Sequence, residues 1–217
     1  MKKSLLLIAL SVLVLMASAG AATITVFNTG VNNSNVALAP GSVDPHYTLT
    51  SSADAGSPGP SAFVGNPIPT PWVADNATSQ WITPNANGNA NLAVGTYVYT
   101  QTFTLAAGFG TAQLSGQWLT DNQATMMLNG NLVSTTPSTS ASFTTFTPFS
   151  TTTGFVTGTN TLTFTVTNSG TSANPTGLRV EIAGSTNAVP EPTSLACVGA
   201  GLIALGGFAR RLRASRR

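Results

Sequence analysis

Strict alternation of apolar and polar positions runs through the middle of the chain and marks it as β. Thr23 to Phe27 reads as a first strand and Tyr47 to Thr50 as another. Tyr97 to Leu105 places Tyr97, Tyr99, Phe103 and Leu105 on one face, with polar side chains largely on the other. Ala112 to Leu119 and Ala124 to Leu128 follow. Asn129-Gly130 then predicts a tight hairpin into Asn131 to Val133, because this pair accepts the positive φ such a turn needs. Phe143 to Phe149 is expected to form a strand bent at Pro148, Thr161 to Thr167 alternates Leu, Phe and Val with threonine, and Leu178 to Ile182 closes the set. Between Ala53 and Pro71, five prolines with Gly56, Gly59 and Gly65 predict a long loop instead. Seven or more strands, turn residues between them and no amphipathic helix predict an all-β fold, an antiparallel β-sandwich of jelly-roll type.

The two ends break this pattern and divide the chain into 1–22, 23–186 and 187–217. Met1-Lys2-Lys3, an apolar run from Leu5 to Met16 and the small residues of Ala17 to Ala22 have the three regions of a secretory signal peptide. Its apolar run is short for a membrane span, and no cysteine follows to support lipoprotein processing. At the far end Pro190-Glu191-Pro192 precedes an apolar stretch, 194–209, predicted as a short transmembrane helix. A basic tail, 210–217, then carries Arg210, Arg211, Arg213, Arg216 and Arg217, placed to stop the helix at the cytoplasmic face. The prolines keep 189–192 extended and accessible. This end resembles the PEP-CTERM family of sorting signals. The resemblance implies recognition by an exosortase, removal of the tail near Pro190 to Pro192, and transient inner-membrane anchoring before release to the cell surface or the extracellular polysaccharide. A secretion translocon and signal peptidase are the partners that the first 22 residues imply.

Charge changes the picture only once it is placed. The net charge of +2 comes from the ends. Between Ala22 and Val189 the single cation Arg179 faces Asp44, Asp54, Asp75, Asp121 and Glu181, a net of −4. Such a body cannot neutralise a run of phosphates, which excludes nucleic-acid binding. The only cysteine, Cys197, lies in the apolar stretch, so the body holds no disulfide. The only histidine, His46, excludes a His-rich zinc site and a His-based triad, and is expected as a turn residue after Asp44-Pro45.

Candidate chemistry is correspondingly sparse. Trp118 is expected in the core, whereas Trp72 and Trp81 flank the Pro-rich loop and are the pair suited to stacking on a sugar ring. Asp75 and Asp121 each precede an asparagine, which favours turn chemistry over the paired carboxylates of a glycosidase. Calcium held by the oxygens of Asp121 and Asn122 is the one metal alternative. From Gln117 to Gly130, with Gly158 to Val166 and Pro175 to Val180, the chain also resembles galactose-binding-like jelly-roll domains. The resemblance implies a sandwich that hosts carbohydrate-binding, adhesive or purely structural roles. The expected function is an exported, exosortase-sorted surface or matrix protein with a non-enzymatic body; the alternatives are a lectin-like carbohydrate-binding module and, less favoured, a secreted glycan hydrolase.

Overall fold

A computed structural model describes residues 21–188 and 199–201. Ala21–Ala188 form one compact unit. Its strands are β1 (Ala21–Ile24), β2 (Val43–Ser51), β3 (Ser61–Val64), β4 (Ile82–Thr83), β5 (Gly95–Leu105), β6 (Phe109–Asp121), β7 (Gln123–Leu128), β8 (Asn131–Thr135), β9 (Thr147–Thr151), β10 (Gly158–Asn168) and β11 (Gly177–Ala188). One helical turn, α1 (Ala141–Thr144), interrupts them. The hydrogen-bonded order is β8-β7-β10-β5-β2-β3-β4-β11-β6-β9, with β1 alongside β11, and every pairing is antiparallel. The path doubles over at β2-β3-β4, so that β10 and β6 face each other across the core in a jelly-roll-like sandwich. Trp118 of β6 meets Phe164 of β10 with ring centroids 5.9 Å apart.

The alternation read from the sequence is what fills this core. Tyr97, Tyr99, Phe103 and Leu105 of β5 are all buried, as are Leu162, Phe164 and Val166 of β10 and Leu178, Val180 and Ile182 of β11. Trp118 has no exposed surface, as expected for a core residue. Asn129 and Gly130 take φ of 50° and 82° and join β7 to β8 in the anticipated hairpin. A β-carbon at these angles is disfavoured, which is why the pair Asn-Gly serves there.

Four local expectations are corrected. Phe143 to Phe149 is not one strand: Ser142 to Thr144 close a helical turn, and extended structure resumes at Thr147 with Pro148 inside β9. Proline is tolerated there because β9 pairs only with β6 and lies at a sheet edge. The Pro-rich stretch holds a real strand, β3, paired with β2 and β4. His46 is not in a turn but within β2, where its ring stacks on Phe27 at 3.6 Å. Asp44 provides the local bonds instead, accepting the N–H groups of Gly30, His46 and Tyr47. β11 runs to Ala188, well past Ile182, because β1 and β6 flank its second half. Among the described residues no helix is long and apolar enough to cross a membrane. The signal segment and the predicted 194–209 helix lie outside them except for Ala21 and Ala22, which begin β1, and the helical Gly199-Ala200-Gly201.

Side-chain amides tie the ends of these strands. Asn160, fully buried, accepts the Val156 N–H and an N–H of the Asn129 amide, and donates to the carbonyls of Val156 and Gly158. Removing such a hub orphans several buried groups at once. Asn160→Ala is therefore expected to lower the unfolding free energy by about 2–4 kcal/mol in urea titration, whereas Leu132→Ala at the exposed β8 edge changes it by less than about 0.5 kcal/mol.

Candidate functional site

Among the described residues, the outer face of β6 and β11 is covered at one end and bare at the other. Strand alternation puts Leu119 of β6 and its register partner Arg179 of β11 on that face. There they are covered by residues following the Pro-rich loop and by α1. Trp72, Trp81 and Leu119 form a second small core, flanked by Ile68, Val73, Phe143 and Phe146. Gly177 makes the close approach possible, since a β-carbon there would stand 3.0 Å from the Trp72 ring.

This arrangement settles where the sequence candidates go. Trp81 is fully buried and Trp72 is 7% exposed; their rings pack on each other at 4.2 Å. The Trp81 indole donates to the Val73 carbonyl and the Trp72 indole to Oδ2 of Asp121. The pair is therefore core and offers no open platform to a sugar ring. Burial of their large apolar area against the sheet wins over exposure at a loop.

Asp121 and Asn122 do not fit a calcium ion. Oδ2 of Asp121 already accepts the indole N–H, a donor that opposes a cation, and Oδ1 of Asn122 accepts the Ser169 N–H at 2.7 Å. A hard cation requires six or more converging oxygens. Among the described residues no three His, Cys, Asp or Glu side chains gather to hold a metal. What the pair does is turn a corner. Asp121 pairs with Gly177 on one side of the sandwich, and Gln123 begins the strand that pairs with Thr167 on the other. Asp75 likewise closes its own loop, accepting the Trp81 N–H at 2.7 Å.

The residue that sequence reasoning passed over is Arg179. It has no exposed surface, yet its Nε donates to Ser79 Oγ at 2.7 Å and its Nη1 to the carbonyls of Ala74 and Val73 at 2.6 and 3.3 Å. Its guanidinium lies 5.3 Å from the centroid of the Phe146 ring, and Nη2 is 3.8 Å from Oε1 of Glu181. Burial lowers its pKa, opposed by the charges of Asp75 and Glu181. The Ser79 hydroxyl passes the bond on to Glu181 Oε1, and Gln117 donates to Oε2 at 2.7 Å. A usable signal did exist: a lone cation alternating with Leu178, Val180 and Ile182 had to face away from the main core.

Beyond Glu181 the same face is open among the described residues. Three adjoining hollows, of about 470, 130 and 110 Å³, run along β6 and β11. A separate cleft of about 350 Å³ is lined by Ser57, Phe63 and Asn85 among others.

The other candidates, Pro190, Glu191, Pro192 and the arginines of 210–217, lie outside the described residues. Residues 188–214 match the family model of the PEP-CTERM protein-sorting motif. The chain carries a PEP-CTERM sorting signal. Such a signal implies an exported, exosortase-processed protein destined for the cell surface or beyond. No curated protein sequence matches this chain. Among solved structures, its body is similar to a family 35 carbohydrate-binding module from Paenibacillus barcinonensis, at 15% identity over 64% of this chain and 92% of that one, with a TM-score of 0.34. It is also similar to a variant family 29 carbohydrate-binding module complexed with mannohexaose, at 8% identity over 81% of this chain and 96% of that one, with a TM-score of 0.36.

Two outcomes follow from the buried charges. Arg179→Met leaves Glu181 and Asp75 without their counter-charge and is expected to cost about 3–5 kcal/mol in urea unfolding, with new protease cleavage within 66–81. Burial pushes the Asp121 carboxyl up from 3.8 to about 6, against the lowering effect of its bond from Trp72. Between those values the folded protein holds a proton that the unfolded chain has released, so stability is fully present below the lower value and falls as pH rises through the upper one. Asp44 and Asp75, raised chiefly by burial as well, add to the slope in the same direction. Asp121→Asn keeps an acceptor for the indole, so thermal melts should show the variant gaining on the wild type as pH rises from about 4 to about 7. Melting temperatures that keep a constant offset across that range would contradict this assignment.

Proposed function

We propose that the protein is exported, released from its sorting tail by an exosortase-type enzyme acting near Pro190 to Pro192, and retained at the cell surface or in extracellular polysaccharide. There the body acts as a non-enzymatic, glycan-associated β-sandwich. The observation that carries this reading is the sorting motif over 188–214. A Pro-Glu-Pro peptide, an apolar run and a cluster of arginines are the parts such processing needs: an accessible extended substrate, a membrane hold and a cytoplasmic stop.

The non-enzymatic reading draws support from what the carboxylates are doing. Asp44 ties a turn, Asp54 accepts the Ala93 N–H, Asp75 and Asp121 brace the small core, and Glu181 faces Arg179. General acid–base chemistry on a glycosidic bond requires two carboxylates facing one substrate across a cleft. The glycan-associated reading draws on a surface whose polarity comes from hydroxyls and amides, with only 6% of the chain charged.

Mass spectrometry of the mature protein from a host carrying an exosortase tests the sorting step. The expected C-terminus lies at or near Pro190 to Pro192, and Glu191→Ala combined with Pro192→Ala should leave the chain uncleaved in the membrane fraction. A mature protein still ending at Arg217 would overturn the proposal.

A further inference from the structure

The bare end of the outer face has the composition and shape of a binding trough. Its rows follow the register of β6 and β11: Gln117 stands beside Glu181, Ser115 beside Ala183 and Gln113 beside Ser185. Thr111 and Asn187 end the series. Side chains on one face of a strand recur about every 6.8 Å, so the four rows extend roughly 20 Å. The hollows along them are continuous, since Ser115 and Ala183 line both of the first two, and Gln113 and Ser185 line both of the last two. Small side chains in the middle form the floor, and amides stand at either end.

The chemistry of the trough restricts its occupant. The outward side chains are amides and hydroxyls, with one alanine and one carboxylate, so an apolar protein surface or a lipid finds no complementary area. Glu181 is already matched: Oε1 accepts the Ser79 hydroxyl and faces Arg179, and Oε2 accepts the Gln117 amide. The body's single cation is fully buried and its net charge is negative, which opposes a uronate-rich or sulfated chain. The amides are positioned but lightly used. Gln113 spends one N–H on the Ser150 hydroxyl at 3.3 Å and Asn187 one on the Thr111 hydroxyl at 3.4 Å. Among the described residues none of their carbonyl oxygens is engaged, and an amide offers a donor and an acceptor side by side to neighbouring hydroxyls.

We propose that this trough on β6 and β11 binds a segment of a neutral, polyhydroxylated polysaccharide lying along the strands. The proposal rests on the glycan-associated reading above and gives it a site and a ligand class. The full chain in detergent micelles is titrated calorimetrically with cellohexaose, xylohexaose and hexagalacturonate, after a screen of neutral polysaccharides by affinity electrophoresis. A neutral ligand should bind, and hexagalacturonate should bind more weakly. Ala183→Trp fills the trough at an exposed position and should weaken binding at least about tenfold. Gln113→Ala, which leaves the floor intact, should weaken it by a smaller factor. Ala86→Trp, which fills the separate cleft by Ser57 and Phe63, should leave binding unchanged. Near-ultraviolet circular dichroism verifies that each variant is folded. Binding untouched by both trough variants, binding lost with Ala86→Trp instead, or a preference for hexagalacturonate would overturn the trough while leaving a glycan role for the body. Failure of every neutral polysaccharide to bind the wild type would remove that role and the trough together.

Discussion

The guanidinium of Arg179 is the only positive charge in the body, and it is held out of water. Desolvating it is unfavourable, and the structure offsets this with bonds to Ser79, Ala74 and Val73, the face of Phe146 and the carboxylate of Glu181. Those partners belong to three separate parts of the chain. Their convergence pins the segment around Val73 to Ser79 onto β11, and Val73 of that segment packs against the cluster of Trp72, Trp81 and Leu119. Removing the charge would loosen the cover, the small core beneath it and the boundary between the covered and open parts of one sheet face.

Elsewhere neutral amides do the work that charges and disulfides do in other exported proteins. Asn160 joins the β7-β8 hairpin to the start of β10, Asn168 donates to the carbonyls of Leu92, Ala93 and Asn174, and Gln80 spans Gly30 and Leu38. An amide carries both donor and acceptor, so one buried side chain can satisfy several backbone groups without an ion's desolvation penalty. The same preference for amides and hydroxyls leaves the surface polar and nearly uncharged. It makes a trough suited to hydroxyl-rich ligands consistent with how the whole body is built.

The proposed function separates address from activity. The address is linear: a short peptide, an apolar run and terminal arginines work through order and accessibility, and they need no folded partner within the chain. The proposed activity belongs to a sheet face. It depends on which strands become neighbours, how far the cover extends along them and which side chains are left standing in water.

The strands, the Asn-Gly hairpin, the inward aromatic positions and the sorting motif were legible in the sequence because each depends on local order: period-two alternation, turn stereochemistry or a contiguous motif. The fate of the outer faces was not. Trp72 and Trp81 looked available beside a Pro-rich loop, and Asp121 with Asn122 looked like oxygen ligands. Alternation of Arg179 with Leu178, Val180 and Ile182 also held a signal that it points away from the main core, and that signal went unread. Whether an outward residue meets solvent or a second small core depends on where residues about a hundred positions away in the chain come to rest, as Ser79 does against Arg179. Local pattern determined the faces of each strand; only long-range packing decided which stretch of the β6-β11 face was sealed by tryptophans and which stayed open.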